Sequence, residues 1–228
     1  MSVKIQFSNN AINYNEYNII QNKIIKNILS KTISKPSSVL DLGCGTGRLC
    51  NSIDWPVKNF YAVDFSEKML DFHPRKKGVS CIIGDFNDPK LFEKLNEFKI
   101  DHIFSTSSLQ WAKDLDASFA LIRNLNAPVS LAIFTSNTFK TIFDTANIPP
   151  LLRTKEEVTF FANKYFDAKY ETIRYSLPFN NKIEMFRYIK KSGVSGGRNI
   201  LDYKSMKYLM NNYPIDYLEF EVLFITQQ

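Results

Sequence analysis

Histidine, cysteine and long apolar runs are scarce in this sequence, and each scarcity argues against a class of protein. Among 228 residues there are only two histidines and three cysteines. Their spacing matches no zinc motif, so we expect no bound metal, and an odd number of cysteines favours reduced thiols in a cytoplasmic protein. No segment approaches the roughly 20 apolar residues that span a bilayer, and residues 1–10 lack the apolar segment of a signal peptide. We therefore expect no membrane partner.

A dense basic patch is also missing, although the chain carries a net charge of +6 from 29 basic and 23 acidic side chains. The only dense basic triplet is Arg75-Lys76-Lys77, which suits a solvated turn. A nucleic-acid interface would combine clustered basic residues with aromatic ones. We therefore expect no nucleic-acid partner, while the positive balance favours acidic partners in general.

Alternating strand and helix patterns fill the N-terminal part of the chain. A helical apolar pattern over residues 16–33 precedes five short apolar segments, and helical patterns separate these segments. The five predicted strands are residues 38–42, 59–64, 80–83, 100–105 and 129–135. This alternation predicts an α/β fold with a doubly wound, mostly parallel sheet, joined by right-handed crossovers.

The alternation stops after the fifth strand. The remaining chain predicts helices at residues 137–147, 155–164, 182–191 and 203–211, and strands at residues 170–176 and 218–225. We predict a single domain over residues 1–228, with a seven-stranded sheet and a helical lid inserted after the fifth strand. Its parts are an N-terminal helix and ligand-binding core (1–136), lid helices with the sixth strand (137–212), and a closing strand (213–228).

The most informative segment is the loop Asp41-x-Gly43-x-Gly45-x-Gly47, which runs directly on from the first strand. Glycines let a backbone turn sharply from strand to helix and approach a ligand closely. A tight turn in any α/β protein has similar spacing, so the loop alone does not decide the function.

Acidic residues at successive strand ends narrow the ligand. Asp64 ends the second strand, where a carboxylate can accept hydrogen bonds from both hydroxyls of a ribose. Asp41 precedes the first glycine by two positions, which suits a cationic ligand better than a pyrophosphate. After the third strand come Asp85 and Phe86, which could bind an adenine amino group and ring. Asp85 could equally be a turn residue before a helix.

With these residues in place, the stretch from Ser38 to Thr135 resembles the class I S-adenosylmethionine-dependent methyltransferases. The resemblance implies S-adenosylmethionine as cofactor, leaving S-adenosylhomocysteine as product. Met69 could face the adenine or belong to the core. The residues expected at the cofactor are Asp41, Gly43, Cys44, Gly45, Gly47, Asp64, Phe65, Met69, Asp85, Phe86 and Ser105.

Segments outside the core resemble a narrower family, the malonyl-acyl-carrier-protein O-methyltransferases of biotin synthesis. These segments are Phe7-x-x-x-Ala11-x-x-Tyr14, the Gln110-Trp111 pair, a turn at residues 189–197 and residues 213–217. Thr106 departs from the Asn usual in that family, and the link from the fifth strand to the lid is short. The N-terminal motif could simply anchor its segment on the core, and Trp111 could be a core residue.

This narrower resemblance implies methylation of the free malonyl carboxylate on an acyl carrier protein. A carboxylate is already ionised at neutral pH, so no general base is required. Tyr14 and Trp111 would exclude water, and Arg187 or Arg198 would hold the carboxylate bidentately. Arg153 and Arg174 are further candidates, and each of these arginines could instead form a surface ion pair. Alternatives are a methyltransferase for another small carboxylic acid or for RNA, and a non-catalytic partner subunit.

Overall fold

The computed structural model describes residues 18–192 and 203–227, which form one seven-stranded sheet with helices on both faces. The strands are β1 (Ser38–Leu42), β2 (Asn59–Asp64), β3 (Val79–Ile83), β4 (His102–Thr106), β5 (Val129–Phe134), β6 (Lys169–Pro178) and β7 (Tyr217–Thr226). The helices are α1 (Ile19–Lys31), α2 (Arg48–Ser52), α3 (Glu67–Asp71), α4 (Pro89–Leu95), α5 (Leu115–Asn124), α6 (Lys140–Ala146), α7 (Lys155–Ala162), α8 (Lys182–Ser192) and α9 (Tyr203–Asn212). A 3₁₀ turn (Leu109–Trp111) follows β4.

The strand order confirms the predicted doubly wound, mostly parallel sheet. The order is β3-β2-β1-β4-β5-β7-β6, in which β7 runs antiparallel to both of its neighbours. The chain moves outward from β1 in one direction through β2 and β3, and then returns to add β4 on the other side. In such sheets, a crevice opens outside the carboxyl ends of the strands where the order reverses, and ligands bind there. The loops after β1, β2 and β4 therefore frame the candidate site.

The central strands are largely buried because helices cover both faces of the sheet. Every residue of β1 and of β5 is buried, as expected for parallel strands between two helical layers. The edge strand β6 is mostly exposed. On one face, α1 buries Ile20, Ile24 and Ile28 in a core that includes residues of β5 and β7. This packing fixes the first turn of α1 beside the loop after β1.

The helix predicted over residues 137–147 begins three residues later, at Lys140. Phe139 adopts a left-handed backbone conformation with φ of 60°, and its N–H donates to the carbonyl of Glu219. Thr138 also bonds to β7, through its hydroxyl and the Glu221 carbonyl. These contacts hold residues 137–139 against the sheet, so the prediction was wrong at this end of the helix.

No helix within residues 18–192 and 203–227 is long and apolar enough to cross a membrane.

Candidate functional site

The loop after β1 is fixed by hydrogen bonds to the end of β2. The N–H groups of Gly43 and Cys44 both donate to the carbonyl of Val63, at 2.8 and 3.0 Å. The N–H of Gly45 donates to Asp64 Oδ2 at 2.9 Å. Gly43 has a φ of +78°, and a Cβ at this position would lie 2.3 Å from the Cβ of Ser108. The glycine is therefore required by both the backbone conformation and the contact with the loop after β4.

Asp64 organises this junction from a nearly buried position. Its Oδ1 accepts a hydrogen bond from the N–H of Ser66 at 2.9 Å, while Oδ2 accepts from Gly45. Burial raises the pKa of the Asp64 carboxyl to about 6, although these backbone N–H groups pull the pKa back down. The N–H of Phe65 also contacts this carboxylate. A carboxylate has about four acceptor positions, so these contacts do not fill all of them. The role of Asp64 in holding the loop was not predicted from the sequence.

Asp41 lies beneath the loop and is only 1% exposed. Its Oδ1 has no hydrogen-bond partner within the part of the chain that the structure describes. Burial, together with the nearby Asp64 carboxylate, raises the pKa of Asp41 to about 8. A buried acidic group of this kind favours a neighbouring cation, which would stabilise its ionised form.

A cleft of about 440 Å³ opens over the glycine loop at the carboxyl ends of β1, β2 and β4. The cleft brings together seven of the residues predicted for the site with three from the end of β4 and the loop after it. Its lining residues are Gly43, Gly45, Asp64, Phe65, Met69, Phe86, Thr106, Ser107, Ser108 and Trp111.

A second space of about 350 Å³, which we call the α1 lobe, adjoins the cleft. It shares Gly43, Gly45 and Thr106 with the cleft, so the two spaces meet over the glycine loop. Its remaining lining residues are Asn18, Gln21, Ile25, Cys44, Thr46, Arg48 and Leu49. Asn18 and Gln21 come from the start of α1, and no periodicity or motif in the sequence pointed to them.

Ser105 does not line the cleft, although it was predicted to lie at the cofactor. Its hydroxyl donates to the carbonyl of Leu42 at 2.8 Å and also contacts the Ser108 hydroxyl at 2.6 Å. Ser108 donates to the same carbonyl, so the two serines fasten the end of β4 to the end of β1. The adjoining Ser107 has a φ of 63°, a conformation uncommon for a residue with a side chain.

Three further predicted cofactor residues occupy distinct places. Gly47 has a φ of +80° and packs closely against Pro74, outside both spaces. Asp85 is exposed, and its Oδ1 accepts hydrogen bonds from the backbone and side-chain nitrogens of Asn87. Met69 is buried in the core and also lines the cleft, so both positions considered for it from the sequence apply.

Of the described residues predicted to bind the substrate, only Trp111 lines the cleft. Trp111 lines the cleft from the 3₁₀ turn, and Arg187 is exposed on α8. Arg174 pairs with the buried Glu221 at 2.9 Å, as the surface-pair alternative predicted. Arg153 instead donates to the carbonyls of residues 112 and 113 at 2.8 and 3.1 Å. Tyr14 and Arg198 lie outside the described residues.

The burial of Asp41 predicts a pH-dependent stability difference. The pKa of Asp41 is raised from 3.8 to about 8 on folding, so its contribution to stability is complete below the unfolded pKa and is lost as the pH rises toward 8. Relative to an Asp41→Asn variant, the wild type should lose up to about 1.4 kcal/mol of unfolding free energy per pH unit between about pH 5 and 7. Urea unfolding of both proteins at several pH values measures this, and parallel stability curves would contradict it.

The fold and the cleft together define a class of protein. A sheet ordered 3-2-1-4-5-7-6 with β7 antiparallel is the architecture of the class I methyltransferases, and the glycine loop lies at its switch point. A family model described as a methyltransferase domain matches residues 40–134, the stretch that runs from β1 to β5. The chain therefore has the class I methyltransferase fold, and its stretch from β1 to β5 is similar to a methyltransferase domain.

Over most of its length, the chain resembles malonyl-[acyl-carrier protein] O-methyltransferases. It is 26% identical over 215 residues to the one from Chlorobium phaeovibrioides, covering 86% of this chain and 80% of the relative. It is 25% identical over 142 residues to the one from Anoxybacillus flavithermus, covering 59% of this chain and 53% of the relative. In several of these matches, the aligned part of the chain spans only about half of the relative's length.

Solved structures agree on the fold at low sequence identity. One chain in the complex between the Haloferax volcanii Trm112 methyltransferase activator and a methyltransferase superposes with a TM-score of 0.60 at 12% identity. The match covers 100% of this chain and 98% of the other.

Proposed function

We propose that this chain is a methyltransferase that binds S-adenosylmethionine in the cleft and the α1 lobe. The observation that carries the proposal is the glycine loop pinned by the Asp64 carboxylate, with Asp41 buried beneath it and lacking a partner for Oδ1 among the described residues. A ligand with a sulfonium, an α-ammonium and an adenosine suits this set of groups, because both carboxylates would gain a positively charged or hydroxyl-bearing partner.

Each part of the cleft has a proposed role. Asp64 would accept from the ribose hydroxyls with the lone pairs that Gly45 and Ser66 leave unused. Phe65, Met69 and Phe86 would form the apolar walls around the adenine. The glycines of the loop have no side chains, so they would let the backbone approach the sulfur-bearing part of the cofactor closely. The core over residues 1–136 would thus hold the cofactor, while residues 137–212 would cover the acceptor and residues 213–228 would close the sheet.

S-adenosylmethionine supplies a methyl group on a positively charged sulfur. The chain's own task is then to align the acceptor and to exclude water. We propose that the acceptor is the free carboxylate of a malonyl group carried on an acyl carrier protein, which would place the product at the start of pimelate and biotin synthesis. The resemblance to malonyl-[acyl-carrier protein] O-methyltransferases supports this choice. The net charge of +6 also suits an acidic carrier.

A carboxylate acceptor fits the composition of the cleft. Its described lining contains no His and no Lys that could act as a general base, and an ionised carboxylate needs none. Trp111 would help to keep the reacting groups dry, which favours a reaction in which an anion and a cation become neutral. The malonyl group has a single charge to be masked, so a cation near the entrance would select it over an uncharged acyl group.

The function is tested with labelled S-adenosylmethionine and three carrier-protein thioesters: malonyl, acetyl and succinyl. We expect label on the malonyl form, little on the succinyl form and none on the acetyl form. Equal labelling of all three, or of none, would remove the malonyl assignment. Labelling of free small carboxylic acids in preference to the thioesters would support the alternative acceptor class.

Arg187 provides a second arm of the same assay. It is exposed on α8, where its guanidinium could hold a carboxylate bidentately. We expect Arg187→Ala to raise the KM for the malonyl thioester with little change in kcat. Arg123→Ala is a matched control, since Arg123 is an exposed arginine on α5 that lines neither the cleft nor the α1 lobe. Equal effects of both changes would point to general electrostatic attraction of the carrier.

One binding measurement and one labelling experiment address the remaining alternatives. Calorimetry with S-adenosylhomocysteine should show binding, and no binding at high micromolar ligand would favour a non-catalytic partner subunit. Labelling of RNA in place of the thioesters would favour an RNA methyltransferase.

A further inference from the structure

Two side-chain amides at the start of α1 are buried without partners. Asn18 is 1% exposed, and neither its Nδ2 nor its Oδ1 makes a hydrogen bond to any described residue. Gln21 is 8% exposed, and its Oε1 is likewise without a partner. Buried polar atoms in native proteins nearly always have partners, because leaving one unpaired destabilises the fold. Three such atoms lie within one helical turn, on two side chains that both line the α1 lobe, and this combination points to a ligand that binds there.

Asn18 is unusual for a second reason. It occupies the N-cap position of α1, where an Asn side chain commonly accepts a hydrogen bond from an N–H of the first turn. Here the side chain makes no such capping bond. The amide is instead one wall of the α1 lobe, together with Gln21. Helix capping therefore does not explain why an amide is present at this position.

The position of the α1 lobe defines which part of a ligand would reach it. The lobe joins the cleft across Gly43, Gly45 and Thr106, whereas Asp64 borders the cleft and not the lobe. A nucleoside with its ribose at Asp64 would thus extend its far end over the glycine loop toward Asn18. In the proposed cofactor, the far end is an α-amino acid group.

The chemistry of the lobe suits a zwitterion. The amide oxygens of Asn18 and Gln21 can accept from an α-ammonium, and the amide nitrogens can donate to an α-carboxylate. Arg48 also lines the lobe, and its Nη1 donates to Asn22 Oδ1 on the exposed side of α1. The Arg48 guanidinium adds a positive charge that would favour the α-carboxylate.

We propose that Asn18 and Gln21 are specificity-determining residues that bind the α-amino acid end of the cofactor, an inference that rests on the proposed function. The two amides distinguish ligands that carry this group from nucleosides that lack it. The loop and Asp64 hold the nucleoside, while α1 recognises the rest.

Two ligands separate these contributions: S-adenosylhomocysteine, which has the amino acid group, and 5′-methylthioadenosine, which lacks it. Calorimetry should show that Asn18→Ala and Gln21→Ala each weaken S-adenosylhomocysteine binding by about 10-fold or more. The same changes should alter methylthioadenosine binding by less than about 2-fold. Asn27→Ala is the matched control, since Asn27 lies on α1 outside both spaces and also has an unpartnered Oδ1. It should change neither affinity.

A thermal unfolding measurement without ligand separates binding from folding. Removing an unpaired buried amide should leave the melting temperature of the free protein unchanged or higher, whereas a structural amide would lower it. The inference is overturned if the variants lose affinity for both ligands equally, or if their affinity for S-adenosylhomocysteine is unchanged. If the wild-type protein binds neither ligand, the proposed function fails first and the inference falls with it.

Discussion

The Asp64→Ala variant should bind S-adenosylhomocysteine at least about 100-fold more weakly than the wild type. Two hydrogen bonds from ribose hydroxyls to a charged carboxylate contribute about 1.5–3 kcal/mol each, and a tenfold change in affinity corresponds to about 1.4 kcal/mol. The variant also removes the acceptor for the N–H groups of Gly45 and Ser66, so the glycine loop loses its attachment to β2. Calorimetry measures the combined loss.

The two roles of Asp64 are separated by a double-mutant cycle. The 2′-deoxy analogue of the ligand lacks one of the hydroxyls that would bind the carboxylate. If Asp64 holds that hydroxyl, the analogue should lose affinity in the wild type and much less in Asp64→Ala. Asp64→Asn keeps the shape of the side chain and should give an intermediate loss. Wild-type affinity in Asp64→Ala would contradict the proposed cofactor site as a whole.

The pinning of the loop shows which part of the site a sequence can predict. The loop and the acidic strand ends were found because glycines with positive φ and a carboxylate after a buried strand have local signatures. The bond from Gly45 to Asp64 joins residues 19 apart in sequence. Its existence depends on how β1 and β2 pair, a tertiary feature that spacing does not encode. The sequence therefore predicted a ligand-binding role for Asp64 but not that it holds the loop.

Asn18 and Gln21 show the opposite limit. Within the helical pattern of α1, the apolar positions Ile20, Ile24 and Ile28 were predictable as a buried face. A polar residue at the start of a helix normally reads as a cap or a solvated position. Only the packing of α1 beside the loop after β1 buries these two amides. Their burial could not be foreseen from composition or periodicity.

The sheet was the most predictable feature because each strand carried its own apolar run between turn signals. The pairing of β7 between β5 and β6 adds contacts that no local pattern specifies. Those contacts explain why residues 137–139 are held by β7 instead of starting a helix. Ser105, which was predicted to lie at the cofactor, lies outside the cleft for a related reason. A hydroxyl at a strand end resembles a ligand contact in sequence, but here it bonds to the neighbouring strand.

Substituting Gly43 with Ala should destabilise the protein by about 2–6 kcal/mol. A left-handed conformation costs a residue with a side chain about 1–3 kcal/mol, and forcing extra volume into packed surroundings costs about 1–3 kcal/mol more. The new Cβ would lie 2.3 Å from the Cβ of Ser108. Ser108 has little freedom to move away, because its hydroxyl is bonded to Leu42 and Ser105. Urea unfolding measures the loss.

Two control variants separate strain from crowding. In Gly84→Ala, the nearest atom is the flexible tip of Leu91 at 2.5 Å, and the backbone conformation needs no glycine, so the loss should be smaller. In the double variant Gly43→Ala with Ser108→Gly, the crowding term disappears while the backbone term remains. Recovery of part of the lost stability relative to the two single changes is therefore expected. If Gly43→Ala were as stable as the wild type, the loop could not be packed against Ser108 as described. The shape of the cleft, which both residues line, would then be contradicted.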